Sequence, residues 1–288
     1  PPVGRAAACC GRSQPALSRQ INELEARLGA PLGERQARQI RLPALGEDLR
    51  DRTRKILVEI GELNDLVRSA EGPLAGRLRL GVIPTVAPYL LPRIIKALST
   101  QMPALELEPR EAITSSLISD LLDSRLDTAI VALPVSETAL HEFPLFEEDF
   151  LLLRPEAEAE QPVPSPQSLR EMRLLLLAEG HCFRDQALSF CEMKTTDPRH
   201  WMEGNSLSTL VQMVGAGMGV TLIPEMAVQL ETQSAPVSVA HFKAPRPSRT
   251  IGMAWRKTNP LAEQLMEIGE LVRQAGQIKQ DNFSPDAA

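Results

Sequence analysis

Apolar residues recur along this chain with a period that changes from region to region. In the segment SQPALSRQINELEARLG, residues Leu17, Ile21, Leu24 and Leu28 repeat at steps of four and three. That spacing turns one stripe of a helix inward and leaves Pro15, Ser18, Arg19 and Asn22 toward the outside. Ser13 is a natural N-cap, Pro15 falls in the first turn, and Gly29 stops the helix. Just before it, RAAACCGR predicts a short alanine-rich helix and a glycine turn. Just after it, ERQARQIRL places Arg35, Arg38 and Arg41 in a hairpin. Small helix, turn, polar helix and basic hairpin together predict a winged helix-turn-helix.

A second helical signal runs through Leu49, Thr53, Ile56, Ile60, Leu63, Val67 and Ala70, alternating four and three over about three heptads. Such a seam requires a partner helix, and Gly72-Pro73 ends it. GRLRLGVIPT then alternates apolar and polar residues as a strand does. Beyond it, strands and helices take turns: helix 89–101, strand 105–110, helix 115–122, strand 127–133. A second α/β unit runs from about Glu148 to Arg249, with strand 174–177, helix 206–214 and strand 220–223. The chain then returns to the first unit through TIGMAWR and a last helix over 261–279. Two lobes joined by crossover strands leave a cleft between them, the usual place for a ligand in open α/β sheets. PEAEAEQPVPSP reads as a surface loop, and the tail after Gln280 as frayed.

Composition refines this picture. A chain of 288 residues, 43% apolar and 24% charged, holds two or three compact units. The overall charge of −6 divides unevenly: residues 1–56 hold eleven Lys/Arg against six Asp/Glu, a surplus of five, leaving −11 for the remainder. A basic head on an acidic body points to DNA at one end and something else at the other. Aromatics, at 3%, are too few for a surface that stacks unpaired bases. No apolar run approaches the roughly 20 residues of a membrane span, and no charged-then-apolar leader opens the sequence. The four cysteines, Cys9, Cys10, Cys182 and Cys191, show no paired CxxC spacing, which places the protein in a reducing cytoplasm. His141, His200 and His241 are scattered without ligand spacing, so no metal is expected, and no cofactor is implied. Gly215, Gly217 and Gly219 follow a helix instead of opening one, and read as a helix stop and tight turn. Cys9 and Cys10, among small residues, read as packing. Thr85 and Thr114 read as helix caps, and Cys182 and Cys191 by themselves as buried thiols.

The run Ala6, Ala7, Ser13-Gln14-Pro15-Ala16-Leu17-Ser18, Ile21, Leu24-Glu25, Leu28-Gly29, Leu32, Arg35, Leu42 and Gly46 resembles the DNA-binding head of LysR-type transcriptional regulators. GVIPTVAPYLLP, GHCFRDQALSFC, SLSTLVQMVGAGMGVTLIP and RTIGMAWR resemble the OxyR-type hydrogen peroxide sensors within that family, and the likeness covers nearly the whole chain. The resemblance implies a winged helix-turn-helix head (1–46), a dimerising linker helix (47–72) and a two-lobed, periplasmic-binding-protein-like α/β sensor. The first lobe of that sensor spans 73–147 and 250–283, and the second spans 148–249. It implies a regulator, not an enzyme, reading a DNA operator through Ser13, Gln14, Pro15, Ser18, Arg19, Arg35 and Arg38. The regulator works as a homodimer or tetramer and contacts RNA polymerase. Hydrogen peroxide is the signal, met in a pocket formed by Thr85, Thr114, His181, Arg184 and Asp185. By the same resemblance, Cys182 is expected as the peroxidatic residue and Cys191 as the resolving one, with a thioredoxin- or glutaredoxin-type reductant resetting the pair.

The residues around Cys182 suit that role. A thiol reacts with peroxide only as thiolate, and a cation among His181 and Arg184 together with a helix N-terminus favours a negative sulfur. Were a helix to persist from Cys182 to Cys191, nine steps of ~1.5 Å would separate them by ~13 Å. A disulfide needs Cα atoms within about 7 Å, so linking them requires the helix to unwind. The same architecture serving a small carboxylate effector, and a thiol peroxidase, are the rival readings; a solute-binding protein would share the lobes but not the basic head. Three features depart from the family pattern. The chain opens at Pro1-Pro2 where a first helix is usual, Gly33 replaces a bulky apolar residue, and Pro43 replaces the threonine that caps the linker helix. A head lacking its first helix is expected to bind its operator weakly.

Overall fold

The computed structural model describes residues 6–7, 10–36, 39–70, 76–191, 193 and 202–277. They fall into two compact units, residues 1–60 and 61–288.

In the first unit, helix α1 (Gln14–Leu28) has Ser13 at its N-cap and Gly29 at its C-cap, with Gly29 at φ +70° and its N–H donating to Glu25 O. Glu25 then folds the following loop back, its Oε1 accepting from Leu32 N at 2.7 Å and Gly33 N at 3.3 Å. Strands β1 (Glu34–Gln36) and β2 (Gln39–Arg41) form the expected antiparallel hairpin. Leu17 and Ile21 are half-buried, but Leu24 and Leu28 stay 45% and 49% exposed. The stripe of α1 is thus turned inward only in its first half, and no described element covers the second. Cys10 is exposed in a turn closed by Arg12 N on Ala7 O, which corrects its reading as a packed thiol. Cys9 and the segment before Ala6, where a first helix would begin, lie outside the described residues. Helix α2 (Ala44–Ala70) starts directly after Pro43, three residues earlier than the linker boundary read from sequence. Gly46 is required at its first turn, because a Cβ there would collide with the Leu32 carbonyl. Along it, Leu45, Ile56, Leu57, Ile60 and Leu63 are each at least half exposed, so much of the heptad seam stands uncovered in the single chain.

In the second unit, strand β3 (Gly76–Val82) is followed by helix α3 (Ala87–Gln101), β4 (Leu105–Glu111), α4 (Thr114–Leu122) and β5 (Thr128–Leu133). This is the alternation that the sequence predicts. Next comes a strand the sequence reading missed, β6 (Leu140–Pro155), sixteen residues long. Its first half pairs with β11 (Ser248–Arg256), from Leu140 with Arg256 to Asp149 with Ser248. From Phe150 on it pairs instead with β9 (Thr221–Pro224) and β10 (Val237–Ala240). Sheet order is therefore β6–β11–β5–β3–β4 on one side, and β6 flanked by β9 and β10 on the other. Between these strands run α5 (Pro166–Leu169), β7 (Leu175–Leu177), α6 (Cys182–Phe190), β8 (Met202–Gly204), α7 (Leu207–Gly215) and α8 (Glu225–Glu231). Helix α9 (Ala262–Gln277) closes the order. α7 ends at Gly215, and Gly217 takes a left-handed φ of +75° in the following turn, as read from sequence.

Two apolar cores result. The first gathers Leu78, Leu80, Ile94, Leu117, Ile130, Met253 and Trp255 with the inner face of α9, including Leu265, Ile268 and Val272. The second gathers Leu152, Leu153, Leu175, Phe183, Leu188, Leu210, Val214 and Ile223. Both are built from alternating strands and one face of each helix, as period-two and period-3.6 patterns dictate. Among the described residues no helix is long and apolar enough to cross a membrane.

At Gly252, where the β6–β11 register shifts, a Cβ would overlap the Leu133 side chain and come within 2.9 Å of Phe143 O. Gly252→Ala should therefore destabilise the chain by about 1–3 kcal/mol, measurable as a lower denaturant midpoint with unchanged m-value.

Candidate functional site

Helix α6 presents the two distal cysteines at opposite ends. His181 is its N-cap, Cys182 its first residue, and Cys191 its C-cap. Gly180, at φ +96°, turns the chain into it, and a Cβ there would meet Ile113 Cδ1 at 2.9 Å. The approach to Cys182 is thus pressed against Ile113, the N-cap of α4. Cys182 is half-buried and packs against the first core, whereas Cys191 is fully buried in the second. Both are free thiols. With nine helical steps from one to the other, rise alone separates their backbones by ~13 Å, beyond disulfide reach.

The helix is held along its length. Phe183 packs edge-on against Phe150, ring centroids 4.9 Å apart, and Phe190 against Phe242 at 5.1 Å. Arg184 is buried, its Nη1 donating to Leu177 O at 3.0 Å and to Glu203 Oε1 at 2.6 Å. At the far end Arg170 Nε donates to Cys191 O at 2.6 Å.

Beside α6 lies a buried ion pair that the sequence reading did not single out. Arg249 of β11 and Glu148 of β6 are direct cross-strand partners, with Arg249 Nη2 2.5 Å from Glu148 Oε1 and both side chains almost wholly buried. Arg249 Nη1 donates to Thr85 Oγ1 at 2.8 Å and Nη2 to Thr85 O at 3.2 Å. Met226 N donates to the other oxygen of Glu148 at 3.3 Å. The guanidinium also lies over the ring of Phe183, 5.5 Å from its centroid, next in sequence to Cys182. A further cross-link joins Tyr89 of α3, which donates to Glu231 Oε1 of α8 at 2.7 Å.

Burial sets the proton chemistry. It pushes the Cys191 thiol up to about 11, against a smaller opposing pull from Arg170, so this sulfur stays protonated at neutral pH. It pushes His181 down, only partly offset by Glu111, so this imidazole is neutral near pH 7. His181 therefore offers hydrogen bonds and no charge, which leaves Arg184 as the cation of the two residues named from sequence. Burial likewise raises the Glu148 carboxyl, opposed by Arg249, and raises the Tyr89 phenol, so that Tyr89 is a donor only.

The pocket residues expected from sequence separate into groups. Thr85 is buried in the turn after β3, bonded to Arg249. Thr114 is the first residue of α4, and its Oγ1 is buried with no hydrogen-bond partner. Contrary to the sequence reading of both as helix caps, neither caps its helix: the N-caps are Val86 and Ile113, neither with a side-chain capping bond. Asp185 is exposed in the first turn of α6, where its charge suits the positive helix end. In the first unit, Ser13, Gln14, Pro15 and Arg19 are exposed at the start of α1 and Ser18 half-buried. Arg35 lies on β1, and Arg38 outside the described residues. The missed Arg249 did leave a sequence signal, because it shares the two-residue alternation of Ile251, Met253 and Trp255 in an otherwise apolar strand.

Two measurements follow. With native protein at pH 8, iodoacetamide followed by peptide mass mapping should modify Cys182 and spare Cys191 until the chain is unfolded. Arg249→Met strands a buried carboxylate and should cost on the order of 3–5 kcal/mol in denaturant titration. Its Glu148, raised still further, then contributes stability at low pH that is lost as pH rises. The deficit should therefore be smaller at pH 5.5 than at pH 8.

Residues 71–277 match the family model for the LysR substrate binding domain, and residues 3–47 that for the bacterial regulatory helix-turn-helix protein of the lysR family. A probable hydrogen peroxide-inducible genes activator of Streptomyces viridosporus is 42% identical over 275 residues, covering 94% of this chain and 88% of the relative. The DNA-binding transcriptional dual regulator OxyR of Escherichia coli is 40% identical over 273 residues, 93% and 89% of the two chains. Among solved structures, a full-length OxyR variant from Pseudomonas aeruginosa superposes with a TM-score of 0.70 at 34% identity, covering 94% and 89%. A hydrogen peroxide-bound mutant of Corynebacterium glutamicum OxyR gives 0.68 at 31%, covering 96% and 88%. A helix-turn-helix head joined to a two-core α/β domain and matched over nearly its whole length by these proteins is a DNA-binding regulator, and the chain belongs to the LysR family.

Proposed function

We propose that this chain is a peroxide-sensing transcriptional regulator switched by a reversible disulfide between Cys182 and Cys191. The observation that carries the reading is the placement of two free thiols at the two ends of one packed helix, in two different cores. The thiolate of Cys182 attacks one peroxide oxygen, the O–O bond breaks, and hydroxide leaves, so sulfur is oxidised to sulfenic acid as peroxide is reduced. The thiol of Cys191 then displaces the sulfenic hydroxyl, forming the S–S bond and releasing water. A buried Cys191 that holds its proton is unsuited to the first role, which needs a thiolate. Thr85, whose oxygen already accepts from Arg249, keeps its own proton to donate, and Thr114 Oγ1 and neutral His181 add hydrogen bonds for a bound peroxide. A carboxylate effector is disfavoured because the buried Arg249 is already neutralised by Glu148.

The readout runs through the head. The exposed N-terminal residues of α1 and the basic hairpin approach DNA, with 1–46 as the head, and the exposed seam of α2 pairs two copies. Unwinding α6 repacks the sensor lobes (73–147 with 250–283, and 148–249) and so changes how paired heads are spaced on an operator. Contact with RNA polymerase and reset by a thioredoxin- or glutaredoxin-type dithiol complete the cycle.

Micromolar peroxide should give a faster-migrating band on a non-reducing gel and a Cys182–Cys191 crosslink by mass spectrometry. Cys182→Ser should abolish both, and an unaltered response in that variant overturns the reading. Ile60→Glu, which places a charge on the uncovered seam, should convert a dimer to monomer in light scattering without unfolding the sensor domain.

A further inference from the structure

Arg184 is the third residue of the helix that must open for the disulfide to form, and it bridges two strands at once. Its Nη1 donates to Leu177 O of β7 at 3.0 Å and to Glu203 Oε1 of β8 at 2.6 Å, and these strands run parallel with Leu176 opposite Glu203. The Arg184 side chain is 9% exposed and that of Glu203 44%, so this is a half-solvated, charge-assisted hydrogen bond on a buried cation. Bringing Cys182 and Cys191 from ~13 Å to within disulfide reach requires the helix that carries Arg184 to unwind, which works against a contact made from its folded form.

We infer that Glu203 is a positioning residue for the switch. Through Arg184 it holds the Cys182 helix in its folded form, and so sets how fast and how favourably the oxidised sulfur of Cys182 is passed to Cys191. This rests on the disulfide reading proposed above. Glu203 touches neither sulfur in this role. Peroxide attack precedes unwinding, so the hold that Glu203 exerts on the folded helix acts on the later step, condensation of the sulfenic acid with the Cys191 thiol, releasing water.

The test uses the full reduced chain, one equivalent of hydrogen peroxide, and rapid quenching. Dimedone trapping reads the sulfenic acid, and alkylation with mass spectrometry reads the disulfide. Glu203→Gln, once its sulfenic acid has formed, should close the disulfide about fivefold faster than the wild type, the size expected for losing one partly exposed ion pair. Its potential against a glutathione buffer should fall by about 20 mV, the same factor of five for a two-electron couple. Glu203→Asp should lie between the two. Because the pair is partly solvated, raising salt from about 0.05 to 0.5 M should accelerate closure in the wild type and leave E203Q unchanged, a response that a merely structural residue would not give. A wild type that crosslinks while E203Q matches its closure rate and potential, or a salt response shared by both, overturns this proposal alone. A wild type that accumulates sulfenic acid and never links to Cys191 overturns the disulfide reading and this proposal with it.

Discussion

The second unit turns on one buried ion pair. Glu148 and Arg249 face each other where β6 and β11 pass between the two cores, and the guanidinium reaches on to both the hydroxyl and the carbonyl of Thr85. A lone charge at either position would carry a desolvation penalty of several kcal/mol, so each residue fixes the other. Thr85 is then fixed by Arg249, and the turn after β3 by Thr85. The ring of Phe183 under the same cation ties α6, and with it Cys182, to this arrangement.

Around this anchor the two thiols are differentiated by environment. Cys191 sits in the second core with its carbonyl held by Arg170, and burial keeps its proton on. Cys182 stands at a helix N-terminus, half-buried against the other core, where Gly180 presses the chain onto Ile113. The helix between them is therefore both spacer and spring. Phe183, Arg184, Ala187 and Leu188 bury its inner face, and in the proposed switch that packing opposes the disulfide. Closing a loop of this length would constrain the unfolded chain by only about 2–3 kcal/mol, which lost packing offsets, as the proposed reversible switch requires.

Much of the architecture was legible before any coordinates. The alternation in GRLRLGVIPT became β3, SLSTLVQMVG became α7 with its glycine stop, and the four-and-three repeat of α2 left its apolar residues uncovered as a partnering helix should. Other elements were illegible for identifiable reasons. β6 carries charged Glu142, Glu147, Glu148 and Asp149 through its middle, and Glu148 is tolerated inside only because Arg249 meets it there. Leu24 and Leu28 follow a helical stripe faithfully yet remain exposed, because periodicity states which face is apolar and not whether anything covers it.

The sequence by itself determined most of the elements and their order, the basic head and the nine-residue spacing that makes Cys182 and Cys191 incompatible with a disulfide in folded helix. Those properties are local, set by periodicity, capping residues and helical rise. Tertiary structure alone decided which charges matter near the sulfur. It neutralised His181 by burial, engaged Arg184 with Glu203, and brought in Arg249 from 164 residues beyond Thr85. Burial and ion pairing depend on which distant segments meet, and a linear pattern carries no measure of that.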